Sequence, residues 1–364
     1  MHPEIKNIND VLPHIDGRSD FIVVHKDGYS VVDYVYALQD SFDDAVRVEC
    51  RGLKFSNDGS ILARPLHKFR NIGETPELQP HLLDFSQPHT VMEKLDGSMI
   101  HPAIVNGNVV FMTRMGRTDV ATKAERHLTP ELRTICRGFL LGGATPIFEF
   151  TAPDNRIVVR YEESAMTLLA VRNTVDGAYW PRAVLEGTGL PVVPVHDSAA
   201  NGSDFTAYAR AVLGFEGFVV RFDNGLWVKA KGDDYVLKHK AKDSILQEKN
   251  ILQLVLSGGL DDVLPLLDEA DADSARSYRD IVEAGVTRTV NDLARFVAAN
   301  ENVPQKEFAL NHVRQLPQIM QSLAFTIRKG VDAGEAVRAC IIANASSQAR
   351  VDEFRELHGA TWAA

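Results

Sequence analysis

The hydrophobic pattern of this chain changes character once, near residue 243. Before that point, short alternating apolar segments flank Asp-Gly and Asn-Gly pairs, as in residues 21–36 and 101–115, which is typical of β-hairpins. Beyond it, strand signals vanish and apolar residues recur at helical spacing to the end. The pattern predicts an α+β fold class. A domain of antiparallel sheets with flanking helices over residues 1–243 is followed by an all-helical domain over residues 244–364.

Each predicted domain contains further elements of recognisable type. In the first, we expect helices over 119–142, broken at Pro130, and near 203–213, with Ser203 or Asp204 as the N-cap. Strands are expected at 146–151, 156–160 and 166–173, and on both sides of residues 223–225. In the second, the expected helices span 244–256, 259–269, 274–299, 305–329 with a potential kink at Pro317, 333–344 and 347–358.

The composition limits the class of protein. The 364 residues suffice for two or three domains, and three widely spaced cysteines favour a reducing cytoplasm over a disulfide framework or a zinc site. We expect no signal peptide and no membrane span. The net charge of −10 argues against a broad basic surface that coats nucleic acid. Five lysines between residues 229 and 242 could still form a local basic groove, although a solvated face is the simpler interpretation of the outer ones.

The sequence Lys94-Leu95-Asp96-Gly97 offers a candidate nucleophile. Lysine attacks only as the neutral amine, so its charge must be disfavoured by burial or by nearby positive charge. The Asp-Gly pair favours a tight turn, which predicts that Lys94 stands at the mouth of a cleft rather than along a strand. Such a short motif also occurs by chance, and a surface lysine before a β-turn is the alternative.

Further charged residues stand where buried strands are expected. Glu149 lies between two phenylalanines, so in a strand it points away from both and, if buried, needs a partner. Glu216 precedes an apolar strand and is a reasonable Mg²⁺ ligand. Lys229 and Lys231 share one face of a strand, where a phosphate would relieve their repulsion. The alternative is a solvent-facing strand position for Glu149 and an exposed edge strand for the lysine pair.

The segments that contain these residues resemble a known family. They are KLDGS at 94–98, FEFTAPDNRIVV at 148–159, TLLAVRN at 167–173, EGFVV at 216–220, WVKAKGDDYVLKH at 227–239, VECRGLKF at 48–55, ARPLHKFRNIGE at 63–74 and SYRDIVEAG at 277–285. Together they resemble the ATP-dependent RNA ligases of the covalent nucleotidyltransferase superfamily, in particular the RNA ligase 1 family of T-even bacteriophages, and the first five stand in the order of that family. The resemblance implies an ATP-grasp-like ligase fold for the first domain.

The resemblance implies a role for each matched residue. The roles are catalysis and AMP attachment for Lys94, ribose binding for Glu149, metal binding for Glu216, catalytic α-phosphate contact for Lys229 and Lys231, pyrophosphate contact for Arg51 and Lys68, a further phosphate contact for Arg114, nucleotide binding for Glu93, and contact with the metal's water shell for Asp262. One departure is Arg70, because the family often has a second aromatic residue there. Its guanidinium group could still stack on a base or contact a phosphate.

The implied activity is ligation of RNA ends with ATP and Mg²⁺ or Mn²⁺. Lys94 would take AMP from ATP, pass it to a 5′-phosphate, and a 3′-hydroxyl would then displace it. The helical domain would select the RNA, by resemblance a tRNA broken in its anticodon loop, as part of tRNA repair. We expect a monomer in the cytoplasm, that of the host if the chain is phage-encoded, working with an end-healing kinase or phosphatase.

Two classes of alternative remain open. The chain could be a DNA ligase or an RNA-capping guanylyltransferase, although these usually append a small β-barrel where this chain becomes helical. It could instead be a catalytically inactive RNA-end binding protein, which the intact set of charged residues disfavours.

Overall fold

A computed structural model describes residues 2–363 and divides into two compact units between Val236 and Leu237. The division falls inside a helix that runs from Asp233 to Ile245. The sequence pattern predicts the change of domain near residue 243, which lies in the same helix. Among residues 2–363, none of the helices has both the length and the apolar content of a membrane span.

The strands of the first unit form three sheets. The strands are β1 Phe21–Lys26, β2 Tyr29–Tyr34, β3 Leu53–Ser56, β4 Ile61–Ala63, β5 Arg70–Asn71, β6 His89–Lys94, β7 Ser98–Val105, β8 Asn108–Met112, β9 Ala144–Thr151, β10 Ala165–Asn173, β11 Val195–His196, β12 Gly217–Phe222 and β13 Trp227–Lys231. The sheet orders are β1-β2-β3-β4, β10-β9-β7-β8 and β11-β6-β12-β13-β5. The pairs are antiparallel except β13 with β5, which is parallel.

The helices flank these sheets and make up the second unit. They are α1 Leu12–Ile15, α2 Ala45–Glu49, α3 Asp119–Glu125, α4 Pro130–Leu141, α5 Arg182–Glu186, α6 Gly202–Ala211, α7 Asp233–Ile245, α8 Glu248–Ser257, α9 Leu260–Val263, α10 Glu269–Ala299, α11 Gln305–Glu307, α12 Gln318–Arg328, α13 Ala333–Asn344 and α14 Gln348–His358. Antiparallel sheets followed by a helical region confirm the predicted α+β class.

The hairpin turns form where the sequence predicted them. Gly28 joins β1 to β2 with a φ of 80°, and Asn106-Gly107 joins β7 to β8 with φ values of 49° and 79°. Two successive positive φ values match the twist of the flanking strands, and Asn and Gly are the residues that tolerate them. The predicted helix break at Pro130 is also confirmed, since α4 begins there after Thr129 caps it.

Two local predictions for the first unit are wrong. Residues 156–160 form a loop, because the main-chain N–H groups of Val158 and Val159 donate to the Asp96 carboxylate at 2.7 Å each and are not available to a strand ladder. The N-cap of α6 is Asn201, whose side chain accepts from the N–H of Asp204 at 2.9 Å.

The helical unit also differs from its predicted bounds. The predicted helix 305–329 is interrupted by a π-helical turn over Phe308–His312 and a 3-10 turn over Val313–Gln315, so Pro317 precedes a new helix, α12, instead of kinking one. The predicted helix 274–299 begins earlier, at Glu269, because the Asp268 side chain caps it by accepting from the N–H of Asp271 at 2.9 Å.

The helix α10 packs against α12, α13 and α14 and supplies much of the core of the helical unit. Its Gly285 is buried, and a Cβ there would lie 2.0 Å from the carbonyl oxygen of His358. The C-terminal end of α14 therefore approaches α10 more closely than any side chain at this position would allow. Gly138 in α4 is the opposite case, because its site is open space.

We expect Gly285→Ala to destabilise the protein and Gly138→Ala to stabilise it. The first change forces the two helices apart, at about 1–3 kcal/mol, which is usual for overpacking. The second removes the helix penalty of glycine, worth about 1 kcal/mol. Urea unfolding followed by circular dichroism should show midpoints moving in opposite directions. An unchanged midpoint for Gly285→Ala would contradict the close helix approach.

Candidate functional site

Glu216 joins two of the predicted catalytic lysines. Its Oε2 lies 2.7 Å from Nζ of Lys94, and its Oε1 lies 2.9 Å from Nζ of Lys231. Strand register creates this arrangement, because Gly217 pairs with Lys94 on β6 and with Lys231 on β13. Only glycine fits that position: its φ is 140°, and a Cβ would lie 2.1 Å from the carbonyl oxygen of Ala230. The carboxylate itself is almost fully buried.

Lys94 occupies a position that the sequence did not predict. It is the last residue of β6, and the Asp96-Gly97 turn begins after it, so the expectation that it stands off the strands was wrong. The strand gives the amine a fixed direction toward Glu216, while the turn that follows leaves it beside open space. Its side chain is 24% exposed, which leaves the nitrogen within reach of a ligand.

Asp96 organises the turn after Lys94, a role that the sequence pattern does not predict. The carboxylate is buried and accepts from the hydroxyl of Tyr235 at 2.7 Å as well as from the loop N–H groups of Val158 and Val159. Gly97 lies so close to β9 that a Cβ would be 2.3 Å from a carbonyl oxygen. The resemblance of FEFTAPDNRIVV at 148–159 to the family could have indicated this role, because the second half of that segment is the loop that contacts Asp96.

Glu149 lies on β9 and needs the partner that its sequence position predicted. Its Oε1 accepts from the N–H of Gly97 at 3.2 Å, directly beside the nucleophile turn. Burial raises the pKa of Glu149 to about 7, with Lys94 opposing this rise and Glu216 adding to it. The carboxyl group therefore changes charge near neutral pH inside the site.

A cavity of about 220 Å³ lies beside these residues. The predicted site residues that line it are Arg51, Glu93, Lys94, Glu149 and Lys229. The rest of the wall is apolar apart from Gly97 and consists of Leu66, Phe69, Leu95, Met99, Leu169 and Val219. A mostly apolar wall with a few convergent charged groups is the usual form of a small-molecule site.

Positive charge converges on one side of this cavity. Burial and then the neighbouring charges of Lys68, Lys94, Arg51 and Lys231 lower the pKa of Lys229 to about 8. The side chain of Lys229 also lies over the ring of Phe69. Cations held this close together favour binding of a polyanion such as a chain of phosphates.

Lys68 and Arg114 meet over the ring of Tyr34, the last residue of β2. Both lie over the ring of Tyr34, at 5.3 and 4.5 Å from its centroid, and Lys68 also lies over Phe42. Arg114 Nε is 2.9 Å from the Asp33 carboxylate, whose pKa burial raises to about 6. The structure thus orders both residues, although neither lines the cavity.

Three predicted residues remain, of which Glu93 lines the cavity and Arg70 and Asp262 do not. The carboxylate of Glu93 is 3.2 Å from Nε2 of His196, a contact the sequence reading missed. Arg70 is half-buried on β5, where it pairs with Val228 and does not line the cavity. Asp262 is exposed on α9 in the helical unit, and its predicted role stays a prediction.

The donor set fits a divalent cation that arrives together with phosphate. Within residues 2–363, no three His, Cys, Asp or Glu side chains form a group that could hold a metal ion. The Glu149 carboxyl group lines the cavity, and the charge of the nearby Glu216 carboxylate raises its pKa, as expected for two acidic groups close together. Mg²⁺ is usually held by one or two carboxylates, substrate phosphates and water.

Comparison with known proteins decides the family. A sequence model described as RNA ligase matches residues 49–246, more than half of the chain. The chain belongs to this RNA ligase family. The predicted resemblance and the predicted ligase class are confirmed, and the matched segment includes Lys94, Glu149, Glu216, Lys229 and Lys231.

Two relatives by sequence agree with the family, and one solved structure is reported for comparison. A protein of Thermovibrio ammonificans whose name attributes RNA ligase activity to it is 28% identical over 288 residues, covering 75% of this chain and 74% of that protein. RNA ligase 1 of bacteriophage TS2126 is 29% identical over 224 residues, covering 56% of this chain and 55% of the phage enzyme. A solved archaeal ATP-dependent RNA ligase is similar with a TM-score of 0.48 and 19% identity, covering 65% of this chain and 64% of that one.

We expect Glu149→Gln to gain stability relative to the wild-type ligase as pH rises from 4.5 toward 7. Folding raises the pKa of the Glu149 carboxyl group from its ordinary value of 4.5 to about 7. The wild-type protein therefore has its full free energy of unfolding below pH 4.5 and loses part of it as the pH rises from 4.5 through 7. Glutamine cannot ionise and escapes this loss, which is on the order of 3 kcal/mol.

Urea unfolding across this pH range measures the difference. Glu163→Gln is the matched control, since Glu163 is exposed and its substitution should give a difference that hardly depends on pH. A pH-independent difference for Glu149→Gln as well would show that the buried carboxyl group does not titrate as described.

Proposed function

We propose that this protein is an ATP-dependent RNA ligase that joins a 5′-phosphate to a 3′-hydroxyl through AMP carried on Lys94. The observation that supports it most is the cavity in which Lys94 faces Glu149, Lys229 and Arg51. Around one cavity these side chains provide a nucleophile, a hydrogen-bond acceptor and two cations, and the apolar part of the wall suits a nucleobase. Membership of the RNA ligase family supports the same reaction.

In the first step the Lys94 nitrogen attacks the α-phosphorus of ATP. A P–N bond forms, the bond to the β-phosphate oxygen breaks, and pyrophosphate leaves. The amine must lose a proton to do this, and Glu216 Oε2, at 2.7 Å, is placed to orient it and to accept that proton. Glu149 is proposed to hold the ribose, where its raised pKa lets it accept or donate a hydrogen bond near neutral pH.

The neighbouring cations stabilise the charge that develops on the phosphates. Lys229 and Lys231 would contact the α-phosphate, while Arg51 and Lys68 would contact the departing pyrophosphate, with Arg114 next to them. Preorganised charge of this kind provides most of the catalysis in phosphoryl transfer. A bound Mg²⁺ or Mn²⁺ would supply further charge neutralisation, with Glu216 as the proposed ligand and Asp262 as a proposed contact of its water shell.

In the second step AMP moves from Lys94 to the RNA, and in the third step the two RNA ends are joined. An oxygen of the RNA 5′-phosphate attacks the phosphorus of lysyl-AMP, and the P–N bond breaks to return Lys94 as an amine. The 3′-hydroxyl then attacks the activated 5′-phosphorus, and AMP leaves. Activation is needed because a bare 5′-phosphate carries no good leaving group.

The RNA substrate is proposed from the family resemblance. We propose that residues 1–243 transfer the adenylate and that residues 244–364 select broken tRNA, with the break in the anticodon loop. We further propose a monomer that acts in the cytoplasm and receives ends from a kinase or phosphatase that heals them.

Incubation with ATP labelled in its α-phosphate tests the covalent step. We expect a labelled protein band from the wild type and none from Lys94→Ala, because only the amine can form the P–N bond. Lys240→Ala is the matched control, since it removes an exposed lysine near the same basic stretch and should leave labelling intact.

Other outcomes of this labelling would point to the rival activities. Labelling from GTP and not from ATP would favour a capping enzyme, and labelling that survives Lys94→Ala would refute the nucleophile. No label from either nucleotide would leave an RNA-end binding protein. Sealing of nicked duplex DNA without action on single-stranded RNA would favour a DNA ligase.

A mixed pool of cellular tRNA fragments tests the proposed substrate. With ATP and Mg²⁺ we expect the wild type to seal fragments broken in the anticodon loop in preference to others, and Lys94→Ala to seal none. Sequencing of the joined products identifies the junctions. Junctions spread over unrelated RNAs would contradict selection of tRNA while leaving RNA ligation itself in place.

A further inference from the structure

Glu49 lies at the centre of a buried ion cluster whose members do not line the cavity. Its Oε1 is 2.7 Å from Nη2 of Arg172 and 2.9 Å from Nδ1 of His2, and its Oε2 is 3.1 Å from Nε of Arg64. Burial alone would raise the pKa of the Glu49 carboxyl group, but the charges of Arg172 and Arg64 and the hydrogen bond from His2 hold this pKa well below its usual range. We call these four residues the Glu49 cluster.

The cluster joins segments that are distant in sequence. The side chains of Arg64 and Arg172 have no solvent exposure. Other N–H groups of both donate to main-chain carbonyl oxygens, and Nη2 of Arg172 also lies 3.1 Å from Nδ1 of His2. Arg64 donates to Pro3 at 2.9 Å, and Arg172 donates to Pro65 and to Gly177 at 2.8 Å each. Buried ion pairs add little net stability compared with apolar packing, so the consequence of this cluster is the fixed position of the segments it joins.

One of these segments leads to Arg51. Glu49 ends α2, and Arg51 follows two residues later, where its Nη1 donates to the carbonyl oxygen of Leu66 at 3.4 Å. The preceding carbonyl oxygen, that of Pro65, is the one held by Arg172. The cluster therefore fixes both the main chain that carries Arg51 and the main chain against which its guanidinium rests.

The same segment leads to Lys68. The N–H of Lys68 donates to the carbonyl oxygen of Val48 at 2.8 Å, next to Glu49 in sequence. His67 before it is buried, and its N–H donates to the hydroxyl of Tyr179 at 3.2 Å. The main chain of Lys68 is therefore held against the end of α2, next to Glu49, and this contact fixes where its side chain begins.

We propose that Glu49 is a positioning residue for the leaving pyrophosphate and that the Glu49 cluster sets the spacing between Arg51 and Lys68. This inference rests on the proposed function, in which those two cations contact the leaving group. The proposal predicts that one step of the reaction depends on the cluster and another does not. Transfer of AMP from ATP to Lys94 needs that spacing, whereas sealing of RNA that is already adenylated involves no pyrophosphate and does not.

Glu49→Gln separates the two steps, because it keeps the shape of the side chain and removes its charge. We expect the ATP concentration that gives half-maximal labelling to rise about 10- to 100-fold, and the rate of sealing pre-adenylated RNA without ATP to stay within about twofold of wild type. His2→Ala removes one outer contact of the cluster and should shift the ATP dependence in the same direction by a smaller factor.

Glu248→Gln is the matched control for loss of a buried carboxylate. Glu248 belongs to the helical unit, where its Oε1 is 2.7 Å from Nη1 of Arg355. This variant should keep the wild-type dependence of labelling on ATP, even where its unfolding midpoint falls.

Each outcome decides between explanations. Equal losses in labelling and in sealing by Glu49→Gln would mean a general structural role and overturn the proposal, as would an unchanged ATP dependence. If Glu49→Gln does not fold, His2→Ala decides by the same comparison of steps. A wild-type protein that takes no label would contradict the proposed function instead, so the two failures are distinguishable.

Discussion

Burial of the Glu216 carboxylate between two lysine ammonium groups is the constraint on which the rest of the site depends. A buried carboxylate is strongly unfavourable without partners, and here Lys94 and Lys231 each supply one within 3 Å. Both partners come from strands that flank β12, so the pairing of three strands and the placement of three charges are one arrangement. Loss of the strand register would leave a buried charge unpaired, and the register is therefore tied to the site.

Close backbone contacts extend this arrangement outward. Glycine at positions 97 and 217 lets strands approach where a Cβ would collide with a carbonyl oxygen. Asp96 joins the nucleophile turn to the loop after β9 and to Tyr235 on α7. The result is a cavity in which Glu149 is held by the N–H of Gly97, Lys94 by the Glu216 carboxylate and Arg51 by the carbonyl oxygen of Leu66. These contacts hold the three side chains in place before a phosphate chain binds.

Prediction from the sequence succeeded where a residue's neighbours along the chain decide its conformation. Asn106-Gly107 forms its hairpin turn because the needed φ values belong to those two residues, and Pro130 begins a helix because it lacks an N–H. Prediction failed where a distant group competes for the backbone. Val158 and Val159 look like a strand, yet the carboxylate of Asp96, distant along the chain, takes their N–H groups.

The sequence by itself determined the class of the protein. The RNA ligase family is identified by the order of Lys94, Glu149, Glu216, Lys229 and Lys231 and by the motifs around them. Each motif is a short contiguous segment, so it can be recognised without knowledge of the tertiary structure. Only the tertiary structure decided that Lys94 and Lys231 share one carboxylate, that Glu149 is held by Gly97, and that Glu49 binds two buried arginines. These contacts depend on strand register and burial, which set distances between residues far apart along the chain and which no short stretch of sequence specifies.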